Sequence, residues 1–500
     1  MKLKNALNKS LKNYYFSIIS ISIMTILGFI ATPIIIKYIG KSQYGSYQLI
    51  LQYLGYLTIC DLGLSTSSCA LLSQAWNTQD RKYVIRTIKI LLRQYLKTIP
   101  LLILVIALII YIFLNFSLKH YDEDAVYAFI IMALTSFFIP LNVFKDFLLA
   151  SERSYIISKL MSIQLLIMTC LNIYFSYNGF GIIGLAISFS SLIILFQVII
   201  LFIAFRKITL IPIKNIEFNI KVKSIWSQNL HSSLQNILGK LSFATDTIIL
   251  SFFMPTSIVT NFVTNQKLAI VIDSLLKNIG NSSWASIATL KDDPKELQRA
   301  INFFNKLFLL IAFPALFALA ANNHHFISLW LGPNFYISNL FTWIAFGNFA
   351  FFGIFSFWGW IFLALGKLHL QTKTIVIAGV INVFASVILT YYLNELGPVL
   401  GTFISFYGFS IWHLSYIMKK ELKLDVSRFF ILFSILILIF SLLYPFLEYL
   451  KIFDSLTWTS LIANTATCYF IGLIICASIL LNKQDHHFLL TMIKKIRGQN

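Results

Sequence analysis

Two neighbouring stretches near the middle of the chain, IWSQNLHSSLQNILGKLSFATDTIILSFF (225–253) and SIVTNFVTNQKLAIVIDSLLKNIGNSSWASIA (257–288), decide how the rest is read. Each is long enough to cross a bilayer, at about 20 residues per crossing, yet each carries charge well inside. The first holds Lys240 and Asp246; the second holds Lys267, Asp273 and Lys277. A charge in hydrocarbon costs roughly 2.5 kcal/mol or more even on the gentlest scale, so such residues face a wet cavity or a partner. The hairpin is therefore a pair of crossings and the first place to look for function.

The rest of the chain has the same character. Hydrophobic residues make up 58% of the 500 and charged residues only 12%, and the mean hydropathy is +0.80. Soluble domains carry about 25% charged residues, so this composition excludes an ordinary water-facing globule. Apolar runs place spans near 14–36, 43–75, 89–117, 125–150, 155–176, 181–205, 225–253 and 257–288. Further runs follow near 301–321, 338–364, 373–393, 398–418, 429–448 and 457–481. The expected fold is an all-α polytopic membrane protein of about fourteen transmembrane helices. The span at 43–75 is overlong and contains Gly45, Gly55 and Gly63, so it is the one expected to tilt or break.

The basic residues test the orientation. Of the 39 lysines and arginines, 28 fall in segments on the side of the N-terminus, against Lys37, Lys41, Lys119 and Lys451 opposite. That bias places both termini in the cytoplasm. It also explains the net charge of +20 without nucleic acid, since no basic patch forms. The lysine-rich start leads into an apolar run too long for a signal-peptide core and reads as a first transmembrane helix. Cys60, Cys69, Cys170, Cys468 and Cys476 all lie in apolar runs without metal spacing, as buried free thiols do. The longest cytoplasmic connection, 206–224, separates two six-helix bundles, 1–205 and 225–418, and 419–500 supplies a terminal helix pair and basic tail. Paired bundles of this kind hold a transported substrate between them.

Within the hairpin, Asn229, Ser232, Ser233, Asn236, Lys240 and Thr247 recur at helical spacing on one face, and Thr260, Thr264, Lys267, Ser274, Asn278 and Asn281 repeat the pattern. Lys240 and Lys267 sit roughly 15–20 Å from the helix ends at 1.5 Å per residue, too deep to snorkel easily. The cavity candidates are Lys240, Lys267, Asn236, Ser233 and Asn229; an ammonium near the midplane suits a phosphate or pyrophosphate head group. Asp246 and Lys267 lie at similar depth and either neutralise each other or stand apart. Asp273 and Lys277, four apart with the acid first, form a local helical pair. Asp61, in ICDLGLSTSS, serves either helix packing or a proton or cation relay. Asp61, Asp246 and Asp273 are the ion-coupling candidates. Arg93 and Lys97 read as interfacial snorkelling residues, and Lys145, Asp146, Glu152 and Arg153 as an interfacial ion-pair group. His324-His325 and His486-His487 read as loop pairs without metal-ligand neighbours. No phosphate loop, nucleophile elbow or zinc motif occurs, so neither an enzyme, a metal nor a cofactor is expected.

Several segments resemble bacterial O-antigen flippases and polysaccharide exporters. They are ATPIIIKYIGKSQYGSYQLILQYLGYLTICDLGLSTSS (31–68), ATDTIILSFFMPTSIVTNFVTNQKL (244–268), FISLWLGPNF (326–335) and LALGKLHLQTKTIVIAGVINVFASVILTYYLNELGPVLGTFISF (363–406). Asp61 and Gly63 match the first-hairpin motif best. The resemblance covers most of the chain in order and places it in the multidrug/oligosaccharidyl-lipid/polysaccharide exporter superfamily. It implies flipping of polyprenyl-pyrophosphate-linked oligosaccharide units, for O antigen, capsule or a related polymer, across the bacterial inner membrane. It further implies alternating access, a cationic cavity that Lys240 and Lys267 would supply, coupling to H+ or Na+, and polymerase and chain-length proteins as pathway partners. A multidrug extruder of the same fold is the nearest alternative, although it favours an acidic cavity. A membrane polysaccharide polymerase or ligase is a further one, although it needs a large outer loop.

Overall fold

The computed structural model describes residues 2–57, 61, 63–113, 123–151, 154–214, 245–450 and 456–481. Among them every regular element is helical. A bilayer offers no water to backbone groups, so a spanning chain satisfies them within helices. Nine segments are long and apolar enough to span a membrane among the described residues. The chain divides into two compact units, Met1–Thr260 and Asn261–Asn500.

The first unit opens with α1 (Lys2–Leu57), kinked at Gly40, which separates the first expected span from the second. The overlong second span does break: α2 (Leu64–Thr78) starts after Gly63, held at φ 71°. That left-handed conformation suits glycine, which has no Cβ to clash. The third span is α3 (Arg81–Leu96) followed by α4 (Ile99–Ile112). The fourth is α5 (Glu123–Leu134), a 3-10 segment (Thr135–Leu141) around Pro140, and α6 (Asn142–Ala150). Then come α7 (Ser154–Tyr177) and α8 (Gly181–Thr209). A buried apolar cluster that includes Leu64, Leu72, Leu91 and Phe147 ties α2, α3, α6 and α8 together. Fully buried Asp80 caps α3 through the Lys82 N–H at 3.1 Å and also accepts the Lys214 N–H at 3.1 Å. One carboxylate thus fixes both a helix start and the beginning of the connection after α8.

Of the expected span at 225–253, α9 (Asp246–Phe253) lies within the described residues. It packs on α1. The next element, α10 (Thr256–Asn265), starts against the same helix. Ser42 Oγ and Thr256 Oγ1 are 2.7 Å apart, and Thr260 donates to the Lys41 carbonyl at 2.6 Å. These contacts place the first residues of α10 in the first unit.

In the second unit α11 (Lys267–Thr289) continues the line of α10 after a break at Gln266. Then follows α12 (Pro294–Trp330), which runs nine residues beyond the expected end at 321. His324 and His325 therefore lie in a helix, not in a loop as the sequence suggested, and the connection that follows is shorter than expected. The apolar, well-packed face of ALAANNHHFISLW carries the helix on, with Phe326, Ile327 and Trp330 all buried. The unit is completed by α13 (Asn339–Ala364), α14 (Leu368–Leu393), α15 (Leu396–Phe403), a π-helical segment (Ile404–Ser410), α16 (Ile411–Glu421), α17 (Ser427–Leu450) and α18 (Trp458–Leu480). Chief packing pairs are α12 with α18, α11 with α13 and α14 with α15. Fully buried Trp358, Phe346, Phe351 and Phe406 show that many of the phenylalanines fill an interior.

Candidate functional site

Of the cavity candidates, Lys240, Asn236, Ser233 and Asn229 lie outside the described residues. Lys267 lies at the break between α10 and α11, and the break has a local cause. Asn265 donates to the carbonyls of Asn261 at 2.8 Å and Phe335 at 2.7 Å, and accepts the Ile337 N–H at 3.3 Å. Asn323 donates to the Asn265 carbonyl at 3.1 Å. The segment after FISLWLGPNF is thereby clamped onto Asn265, and a carbonyl of the helix backbone takes a side-chain donor. The new helix then begins at Lys267, with no capping hydrogen bond from the Gln266 side chain.

That position is electrostatically awkward for a lysine. The N-terminal end of a helix carries about half a positive charge, and a cation there is disfavoured by roughly 0.3–1 kcal/mol. The Lys267 side chain is partly buried, and among the described residues no carboxylate forms an ion pair with it. An ammonium at the start of a helix is an arrangement that suits an anion.

The carboxylate candidates separate into different environments. Asp273 is buried and pairs with Lys277 at 2.5 Å, the local i,i+4 pair that the spacing predicts. Asp246 opens α9, where a carboxylate is favoured by the helix dipole, and the preceding Thr245 bonds the Tyr56 hydroxyl at 2.8 Å. Asp61 accepts the Ser65 N–H, at 3.2 and 3.4 Å to its two oxygens. In this way it satisfies one of the open donors at the start of α2.

Asp146 corrects the sequence reading. It is not part of an interfacial ion-pair group but is 1% exposed, accepting Ser65 Oγ at 2.8 Å and the Tyr95 hydroxyl at 3.5 Å. The helix turn that half-exposes Lys145 directs its neighbour inward. Glu152 and Arg153 lie outside the described residues. Lys207, counted above among connection residues, is likewise buried: its ammonium bonds Ser151 at the end of α6 and lies 4.3 Å from the Trp76 ring centroid. A helix C-terminus and an aromatic face both favour a cation. Arg93 and Lys97 are exposed, as snorkelling residues are.

An apolar cavity of about 400 Å³ in the second unit was not foreseen from the residues. Phe313 and Phe317 of α12, Trp343 and Phe346 of α13, Tyr407 of the π-helical segment and Phe433 of α17 are among the residues of its wall. The π-helical segment turns Tyr407 into it. Ser410 donates to the carbonyl five residues back, Ser405, at 2.8 Å, and Trp412 Nε1 does the same to Tyr407 at 2.8 Å. Ser405 is tied to the Ala378 carbonyl at 2.6 Å, and the Tyr407 hydroxyl to that of Gly347 at 3.1 Å. π-Bulges of this kind concentrate at functional sites. The aromatic positions recur three or four apart, a signal indistinguishable in sequence from plain packing. Among the described residues no group of three metal-ligating side chains occurs.

No protein-family profile matches the chain, and no curated protein matches it by sequence. Solved structures do. The chain is similar to a lipid II flippase, MurJ, in an inward closed conformation, with a TM-score of 0.70 and 16% identity over 94% of this chain and 100% of the other. It is similar to an inward-facing multidrug resistance MATE family transporter, with a TM-score of 0.54 and 14% identity over 81% of this chain and 99% of the other. A transporter from Pyrococcus furiosus with a binding pocket of reversed polarity matches at a TM-score of 0.52 and 14% identity, over 82% and 96%. At these identities the likeness is one of architecture. The chain is a polytopic helical membrane protein with the fold of the MurJ and MATE transporters.

Proposed function

We propose that this protein is a flippase that carries a polyprenyl-pyrophosphate-linked oligosaccharide from the inner to the outer leaflet of a bacterial cytoplasmic membrane. The observation that carries the reading is Lys267: a partly buried lysine at the start of a 23-residue helix, with no ion-pair partner among the described residues. Both the ammonium and the helix dipole favour an anion there. A pyrophosphate supplies that anion, and Lys240 is the second cation proposed to meet it. The aromatic cavity beside Tyr407 suits the apolar carrier chain, and the polar residues of the hairpin suit sugars. The lipid II flippase architecture supports this reading through the fold. A multidrug extruder shares the fold, but a lysine with no ion-pair partner among the described residues repels a cationic drug. Both termini are then cytoplasmic, and the polymerase of the same glycan pathway would receive the unit outside.

The test is translocation in proteoliposomes holding a fluorescent polyprenyl-pyrophosphate oligosaccharide, read by quenching from outside. Wild-type protein should move it, and Lys267→Ala and Lys240→Ala should each slow it at least tenfold. Movement of a cationic dye but not of the glycolipid would replace this reading with the extruder.

A further inference from the structure

A small cleft of about 10 Å³ opens between α12 and α17 of the second unit. Asn302, Asn305 and Lys306 of α12 and Arg428 of α17 form its polar wall, and Leu309 and Leu432 lie on its apolar side. Such a volume holds about one water-sized group, or one oxygen of a larger anion. Gln298 joins the two elements. Its amide donates to the Asp425 carbonyl and accepts the Asp425 N–H, both at 2.8 Å. The turn before α17 is thereby pinned to α12, which brings Arg428 to the same cleft as Lys306. The nearby carboxylate of Asp425 is turned to the Ser427 N–H at 2.9 Å.

The informative atom is Asn305 Nδ2. Asn305 is 3% exposed, and Trp358 Nε1 of α13 donates to its Oδ1 at 3.1 Å. An indole nitrogen can only donate, so this contact fixes which way the amide faces. Nδ2 is then left buried without a hydrogen-bond partner among the described residues. A buried donor in that state calls for an acceptor. The charged groups on the same wall are both cations, Lys306 buried and Arg428 exposed. The acceptor that suits all three is an anion, and a guanidinium and an ammonium together favour phosphate.

The place of the cleft in the chain indicates where the phosphate comes from. Apolar runs begin immediately after both cations, at 307–321 and at 429–443. Lys306 and Arg428 therefore stand where α12 and α17 enter the hydrocarbon layer, at the depth of lipid head groups. Basic pockets between helices at that depth take acidic lipids. The cleft is not the Lys267 site. Asn323, which secures the break before Lys267, is about 27 Å farther along α12 than Asn305 at 1.5 Å per residue. We infer that Asn305, Lys306 and Arg428 form a phosphate site, and that the membrane supplies the phosphate as the head group of an anionic phospholipid. One phosphate oxygen accepts from Asn305 while the others face the two cations, and the acyl chains follow Leu432 into the hydrocarbon. The inference stands apart from the flippase reading.

The test uses the purified full-length protein in detergent, with melting followed by tryptophan fluorescence. Phosphatidylglycerol is titrated into the micelles against phosphatidylcholine, and in a second arm sodium phosphate replaces sodium chloride at constant ionic strength. Phosphatidylglycerol should raise the melting temperature of wild type, and phosphatidylcholine and inorganic phosphate should not. Asn305→Asp keeps an acceptor for Trp358 but replaces the donor with negative charge, so it should lose the shift. Arg428→Gln alters an exposed side chain and keeps the test open if the buried variant does not fold. It should need at least fivefold more phosphatidylglycerol for the same shift. Lys291→Gln, an exposed lysine outside the cleft, should respond as wild type. An equal shift with inorganic phosphate would assign the site to a soluble anion and overturn the lipid assignment. No shift in wild type, a shift unchanged in Arg428→Gln, or an equal loss in Lys291→Gln would overturn the site itself.

Discussion

Replacing Gly45 by alanine would put a methyl group where the Thr256 carbonyl already stands. A Cβ built on Gly45 falls 1.9 Å from the Thr256 oxygen and 2.9 Å from the Thr260 hydroxyl. Ordinary carbon contacts begin near 3.4 Å, so α10 must retreat from α1 by about 1.5 Å. Overpacking of this kind costs about 1–3 kcal/mol. The retreat also strains the Ser42–Thr256 and Thr260–Lys41 hydrogen bonds, each worth about 1 kcal/mol, and more where a buried hydroxyl is left unsatisfied. Together the loss is about 3–5 kcal/mol, which should lower the melting temperature of the purified protein by roughly 3–5 °C. Gly55→Ala is the internal control, because no atom lies within 4 Å of a Cβ there. A Gly45→Ala protein that melts with wild type would refute the close approach of α10 to α1.

Three further outcomes follow from other places in the structure. Gly401→Val should abolish the folded yield in detergent, because a Cβ at Gly401 falls 2.5 Å from the Ser386 nitrogen and one at Gly397 falls 2.2 Å from that of Thr390; this is a small-xxx-small contact between α14 and α15. Ala350→Phe, on the wall of the aromatic cavity, should slow transport of a long polyprenyl substrate about tenfold and spare a short-tailed analogue in the same proteoliposome assay. Asp425, outside the spans, accepts the Ser427 N–H at 2.9 Å, a bond that holds its carboxyl below the usual carboxylate range. Because the folded value is depressed, its stabilisation is full above the unfolded value near 3.9 and is lost as pH falls through the folded one. Asp425→Ala should therefore melt slightly below wild type at pH 7, by a few tenths of a kcal/mol for so exposed a group. The gap should close in melts at pH values low enough to protonate the folded carboxyl.

Much of the architecture was legible because hydropathy and proline or glycine punctuation act locally. The spans at 155–176 and 338–364 correspond to α7 and α13 within a few residues. The doubt over 43–75 became a real break, since Gly63 admits a left-handed turn that the surrounding residues disfavour. The Asp273–Lys277 pair was legible for the same reason, being set by helical spacing alone. What escaped depends on contacts between distant residues. Nothing near Asp146 in sequence announces that Ser65 and Tyr95 will enclose it, at separations of 81 and 51 residues. The extension of α12 past His324 and His325 depends on packing of its far end, as the burial of Trp330 shows. The break before Lys267 required the Asn323 side chain, and the cavity required a π-helical turn that composition does not mark.

The central claim is that Lys267 receives an anionic head group, and direct binding tests it most closely. Purified protein should bind a fluorescent polyprenyl-pyrophosphate oligosaccharide in detergent at low salt, with affinity falling as ionic strength rises. Lys267→Ala should weaken binding about tenfold, equivalent to about 1.4 kcal/mol, and Lys267→Arg should restore most of it. A Lys267→Ala protein that melts as wild type and binds the glycolipid with unchanged affinity would contradict the account.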